Sequence, residues 1–345
     1  MGQRTGGVAV DADLVLEGGG VKGIGLAGAY AVLHDAGYRF HRVAGTSAGA
    51  IVGALIAAEM PPDRMERVMR EVNYGKFQDE GFLDHLGLVG KGLSVLFEKG
   101  IYEGNYLREW LDSLLSDLGK RTFAEFKIDD PGSALPPEKA YKLVVTASDV
   151  SRGELVRFPW DYPSYGLDPD EQLVADAVRA SMSIPFFYEP VRLRWRGSDG
   201  TETDSFLVDG GMLSNFPIEV FDRADGRAPR WPTFGIKLSA RPQSVRAQKF
   251  RIDGTFDLAR ALIGTMTGFH DQMHIDDECV LERLMFVDSA NIKATDFELE
   301  ETAQDLLFEN GRAAASAFLS TWNFEVYLQK CRSGDVGAGA PAPLS

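Results

Sequence analysis

Runs of apolar residues, separated by glycine and proline, divide this chain into short elements. Asp13-Leu14-Val15-Leu16 reads as a buried strand closed by a glycine cluster. A helical pattern follows from about Gly25 to Ala36, and Gly37 ends it. A second strand near His41 to Ala44 runs into Gly45-Thr46-Ser47-Ala48-Gly49, and a helix pattern from Ala50 to Met60 stops at Pro61-Pro62. Strand, helix and strand at this spacing predict a right-handed βαβ crossover. Both glycine-bearing loops then lie at the carboxyl ends of parallel strands, the edge at which open α/β sheets bind ligands. The Gly18 to Gly23 loop and Ser47 are therefore expected to be neighbours.

Downstream, Asp63 to Asn73 starts a helix, and Tyr102 to Leu118 reads as an amphipathic one. Between them, residues 75–100 scatter Phe77, Phe82, Leu83, Leu86, Leu93 and Phe97 among glycines. That pattern fits short buried helices or a lid over an apolar site. Pro131 to Glu138 reads as a surface loop, Lys142 to Ser148 as a buried strand, and Leu155 to Phe158 as a strand paired with a later segment. Glu171 to Ser181 is an expected helix closed by Pro185. Arg192 to Trp195 and Ser205 to Val208 flank a polar turn and predict a hairpin. Thr233 to Leu238 and Leu284 to Val287 are core strands, and Leu299 to Trp322 is a closing helix. No repeat is visible. The expected organisation is a flexible lead over 1–12, one α/β domain over 13–325, and a disordered Gly/Ala/Pro tail over 332–345.

Composition narrows the class. The chain has 345 residues, 44% of them hydrophobic and 25% charged, as in a soluble globular protein. Its longest apolar run, Ala48 to Ala58, is about half a membrane span. Met1 to Asp13 has no apolar secretory core, and Gly6 stands where a myristoylation signal needs Ser or Thr. A cytoplasmic location is expected, with transient contact at a membrane or micelle surface resting on a local apolar patch. The net charge of −15 opposes nucleic-acid binding. The two cysteines, Cys279 and Cys331, form neither a disulfide framework nor a zinc set and are expected to be reduced.

The chemistry concentrates in three segments. Gly45-Thr46-Ser47-Ala48-Gly49 at a strand-to-helix junction has the form of a nucleophile elbow. The tight turn excludes bulk on both sides of Ser47 and aims its hydroxyl outward at the positive end of a helix. The bland alternative is an ordinary helix start with a small polar cap. Gly18-Gly19-Gly20-Val21-Lys22-Gly23 fits a dinucleotide fingerprint, but that fold needs an acidic residue at the end of the second strand, where Gly45-Thr46-Ser47 stands. Three consecutive glycines beside a serine elbow read better as an oxyanion hole. Asp209-Gly210-Gly211 follows the apolar strand Phe206-Leu207-Val208. It is either a plain turn or a rigidly held carboxylate at the same sheet edge. None of the five histidines, His34, His41, His85, His270 and His274, falls in a segment with active-site character.

These three segments, in this order, resemble the signatures of the patatin-like phospholipase family. Ser181-Met182-Ser183-Ile184-Pro185, with Pro190 and Val191, resembles the family's segment ahead of its catalytic aspartate. The resemblance implies a three-layer α/β/α fold around a mostly parallel sheet, and a hydrolase of phospholipids or other fatty acyl esters. It implies Ser47 as nucleophile, Asp209 as general base and Gly18, Gly19 and Gly20 as the oxyanion hole. Lys22, Gly23, Gly45, Thr46, Ala48, Gly49, Gly210 and Gly211 would be supporting motif positions. No metal or cofactor is implied. Lys22 stands where many members carry Arg. Two alternatives remain: an esterase with a Ser–Asp–His triad that uses His270 or His274, and a lipid-binding or regulatory module without turnover.

Overall fold

The computed structural model describes residues 10–72, 104–185, 187–197, 200–238, 277–290, 292, 294, 296 and 299–331. The proposed lid over 75–100, the tail over 332–345, and His85, His270 and His274 lie outside them.

Leu14, Val15 and Leu16 are buried on both faces of strand β1 (Val10–Leu16), as a central parallel strand requires. On one side, β2 (Tyr38–Thr46) runs parallel to it, with Leu16 opposite Gly45. Helix α1 (Gly23–Asp35) connects the two, and α2 (Ala48–Ala57) and α3 (Pro62–Glu71) follow. Helix α4 (Asn105–Asp117) buries Leu107, Leu111 and Leu115, one stripe at helical spacing. Next come β3 (Leu143–Asp149), β4 (Glu154–Phe158) and α5 (Val174–Ser181). The hairpin β5 (Val191–Arg196) and β6 (Glu202–Asp209) pairs as its alternation predicts. Strand β7 (Thr233–Lys237) lies parallel to β1, and β8 (Leu284–Phe286) parallel to β7. The short α6 (Glu278–Leu281), the long α7 (Glu301–Thr321) and α8 (Phe324–Cys331) complete the order.

The strand order is β5-β6-β3-β2-β1-β7-β8, with β4 attached to β3. Alternate residues face opposite layers. Leu14, Leu16, Val43, Leu143, Val145 and Ile236 join the helical core with α1, α2 and α5. Val15, Ala44 and Val144 face a smaller cluster with Phe216, Ile218, Phe221 and Val280. The chain is thus an α/β protein with a mostly parallel sheet. Among the described residues, its second covering layer is an irregular stretch around 213–222 plus α6.

Three expectations are corrected. Leu155 to Phe158 pairs with the earlier strand β3, antiparallel, because the connection of a few residues closes a local hairpin. The helix expected from Glu171 starts at Val174, because Gln172 and Val174 hydrogen-bond the backbone of Phe123 and Arg121 instead. The cysteines are joined as Cys279–Cys331 across a sequence separation of 52. Packing of α6 against α8 brings the two Cα atoms to 5.5 Å, a proximity that a count of two cysteines does not reveal. The cysteines therefore lend no support to a reducing compartment. Among the described residues, no helix is long and apolar enough to cross a membrane.

The pairing of β3 places the site. Residues Val145 to Asp149 pair with β4 along one edge of β3. Strands β2 and β6 must therefore share the other edge. Thr46, the last residue of β2, sits opposite Thr146, and Asp209, the last residue of β6, sits opposite Ala147. Two segments 163 positions apart thus occupy consecutive places in one lane.

Candidate active site

Strand β2 stops at Thr46 because the next residue leaves the extended region. Ser47 has φ 54° and ψ −124°, a strained conformation for a residue with a side chain. Two glycines make that turn sterically feasible. A Cβ on Gly45 would lie 2.2 Å from the Gly49 carbonyl oxygen, and one on Gly49 would lie 2.3 Å from the Leu16 carbonyl oxygen. The elbow is thereby pressed directly onto the end of β1. Ser47 is 4% exposed, and its N–H donates to Ser181 Oγ at 2.8 Å. Its hydroxyl donates to Met182 Sδ at 3.3 Å, and the Ser47 side chain stands near enough to Asp209 to favour the ionised carboxylate.

Asp209 is 7% exposed. Its N–H donates to the Ser183 carbonyl at 2.8 Å, and its Oδ1 accepts the Gly211 N–H at 2.7 Å. Burial pushes its pKa from 3.8 up to about 6, against the opposing pull of the Ser47 and Gly211 hydrogen bonds. A carboxyl tuned this close to neutrality can exchange a proton with an alcohol far more readily than an exposed one.

The glycine loop stands beside this pair. A Cβ on Gly18 would lie 3.1 Å from the Ser47 Cβ. The Gly18 N–H is already committed to the Asn215 carbonyl at 3.2 Å, while the Asn215 side-chain amide donates to the Gly18 carbonyl at 3.3 Å. The N–H groups of Gly19 and Gly20 have no such acceptor among the described residues. Gly20 adopts φ +57° against Ala294, whose carbonyl accepts the Val21 N–H at 3.1 Å. Behind the loop, Glu17 pairs with the buried Lys237 at 2.6 Å and accepts the Leu238 N–H. Lys22 reaches the Leu238 carbonyl at 3.4 Å, and burial pushes its pKa down. Thr46 Oγ1 bonds Thr146 Oγ1 at 2.6 Å, which fastens the elbow to β3.

The structure thus gathers Gly18 to Gly20, Ser47 and Asp209 at one sheet edge. His34 is exposed, and His41 lies 3.3 Å from Asp130 and edge-on to Trp231, toward the opposite edge. A cavity of about 480 Å³ opens there too, between Tyr30, Tyr38, Phe40 and Ile56, away from Ser47. Asn215 escaped the sequence reading. It acts from an irregular segment through one carbonyl and one amide, and its only signal is a position six residues after Asp209. Ser181 and Ser183 were visible as part of a motif, yet the tethering of both Ser47 and Asp209 by this one segment was not.

A family model described as patatin-like phospholipase matches residues 14–222. The uncharacterized protein YqhO of Bacillus subtilis is 37% identical over 312 residues, which span 90% of this chain and 99% of its own length. The uncharacterized NTE family protein Rv2565 of Mycobacterium tuberculosis is 27% identical over 207 residues, covering 60% of this chain but 27% of that protein. Among solved structures, VipD from Legionella pneumophila aligns with 90% of this chain and 67% of its own, at 17% identity and a TM-score of 0.49.

Proposed function

The chain belongs to the patatin-like phospholipase family of lipid acyl hydrolases, and on that premise we propose that it cleaves fatty acyl esters through a Ser47–Asp209 dyad. One observation carries the reading: a strained, buried serine stands beside a buried carboxylate whose pKa burial raises to about 6.

Asp209 accepts the Ser47 proton as Oγ forms a bond to the ester carbonyl carbon. Negative charge collects on the former carbonyl oxygen, where the N–H groups of Gly19 and Gly20 stabilise it. The C–O bond to the alcohol breaks, and Asp209 returns its proton to the departing oxygen. Water then loses a proton to Asp209, attacks the acyl-serine and releases the fatty acid, and the proton goes back to Ser47. Every step balances without an external acid.

The test is hydrolysis of a p-nitrophenyl fatty ester and of a phospholipid by wild type, Ser47→Ala, Asp209→Ala, His270→Ala and His274→Ala. Loss of turnover in the first two variants alone is the expected result. Full activity in Ser47→Ala overturns the serine reading, and inactivity of either histidine variant replaces the dyad with a triad.

A further inference from the structure

We propose that Arg179 is a positioning residue that holds Asp209 in register with Ser47, through the hydroxyl and the backbone of Ser183. The inference rests on the dyad reading above.

Arg179 lies in the last turn of α5 and is 6% exposed, although its guanidinium cannot shed its charge. Burial of such a group is costly unless its donors are engaged. One arm donates to Ser183 Oγ at 2.5 Å and another to the Glu189 carbonyl at 3.1 Å. The Ser183 hydroxyl donates back to the Arg179 carbonyl at 3.0 Å, closing a ring. The guanidinium carbon sits 5.1 Å from the centre of the Tyr188 ring. Gly104, in a left-handed conformation at the start of α4, leaves the space for it: a Cβ there would lie 2.2 Å from Arg179 Nε. The fork thus spans both sides of the bend between α5 and β5. At the centre of that bend, the Ser183 carbonyl receives the Asp209 N–H. Two residues earlier, Ser181 Oγ receives the Ser47 N–H. The turn braced by Arg179 therefore holds a backbone amide of each dyad member.

The experiment measures kcat and KM on p-nitrophenyl butyrate, and the rate of Ser47 labelling by a fluorophosphonate, from pH 5 to 8. The proteins are wild type, Arg179→Lys, Arg179→Met, Ser183→Ala and the Arg179→Met/Ser183→Ala double variant, with Ser47→Ala and Asp209→Ala as controls. All rates are referred to folded protein. A misplaced base predicts a kcat about 10- to 100-fold lower in Arg179→Met with KM within about twofold. Its acid limb should move above 6, because the Ser47 side chain, which lowers the Asp209 pKa, is shifted away from it. Arg179→Lys should rescue little, since lysine lacks the fork. The double variant should lose no more than the worse single one. Wild-type kcat and acid limb in folded Arg179→Lys and Ser183→Ala would overturn the proposal even if Arg179→Met fails to fold. Activity retained in Asp209→Ala would overturn it by a different route, by removing the dyad on which it rests.

Discussion

At the scale of single residues, Asp209 bears opposite consequences for activity and for stability. If it is the base, turnover falls as pH drops through about 6, the value at which its carboxyl gains a proton. A kcat profile between pH 4.5 and 8 checks this. Because the folded pKa stands above 3.8, the folded protein holds that proton more tightly than the unfolded chain does. The stability so gained is complete below pH 3.8 and lost as pH rises through about 6. At neutral pH the ionised, buried carboxylate therefore costs on the order of 3 kcal/mol. Asp209→Asn keeps an acceptor for the Gly211 N–H, so it should be inactive yet melt higher than wild type at pH 8, with little difference near pH 4. Thermal melts at the two values decide. Gly49→Ala acts in the other direction: its Cβ meets the Leu16 carbonyl, a backbone atom that cannot swing aside. We expect a loss of at least about 2 kcal/mol in denaturant unfolding. This elbow was legible in the sequence because its demands are local, a small residue on each side of one strained serine. Asn215 was not, because its contribution depends on where an irregular loop ends in space.

Between elements, the packing of α1 on α7 shows why helix patterns were easier to read than their partners. Gly25 and Gly28 sit inside α1, where each costs about 1 kcal/mol of helix propensity relative to alanine. They persist there because α7 comes too close for side chains. A Cβ on Gly28 would lie 2.1 Å from the Phe308 carbonyl, and one on Gly311 would lie 2.0 Å from the Gly25 carbonyl. Gly28→Ala thus gains propensity and loses the close approach, and the second effect should win. Amide hydrogen exchange in α7 should then accelerate well before the sheet opens. From sequence, these glycines were simply positions within the helical pattern, with nothing to mark the partner helix they admit. Strand pairing was illegible for the same reason. Leu155 to Phe158 shows that it is a strand, but only three dimensions show that β3 is its neighbour. By contrast, the hairpin of β5 and β6 could be read directly, because its turn and alternation lie within one stretch.

On the scale of the whole molecule, the Cys279–Cys331 link encloses β8, the Ala294 brace of the glycine loop and all of α7. Constraining a loop of that length in the unfolded chain is worth about 4 kcal/mol. Cys279→Ser/Cys331→Ser should lower the melting temperature, and dithiothreitol should lower wild type to match while leaving the variant unmoved. That link, like the lane shared by β2 and β6, joins regions that no local pattern connects.

The lane itself makes β3 a ruler. Thr146 and Ala147 are adjacent graduations, one marking the last residue of the strand before Ser47 and the other marking Asp209. The length of chain between Asp149 and Glu202 does not enter that measurement, so insertions there are absorbed outside it. A single residue deleted between Phe206 and Asp209 would slip the scale by one mark and turn every following side chain to the opposite face. The separation of Ser47 and Asp209 is thus set by the spacing of one strand, and not by the length of chain that runs between them.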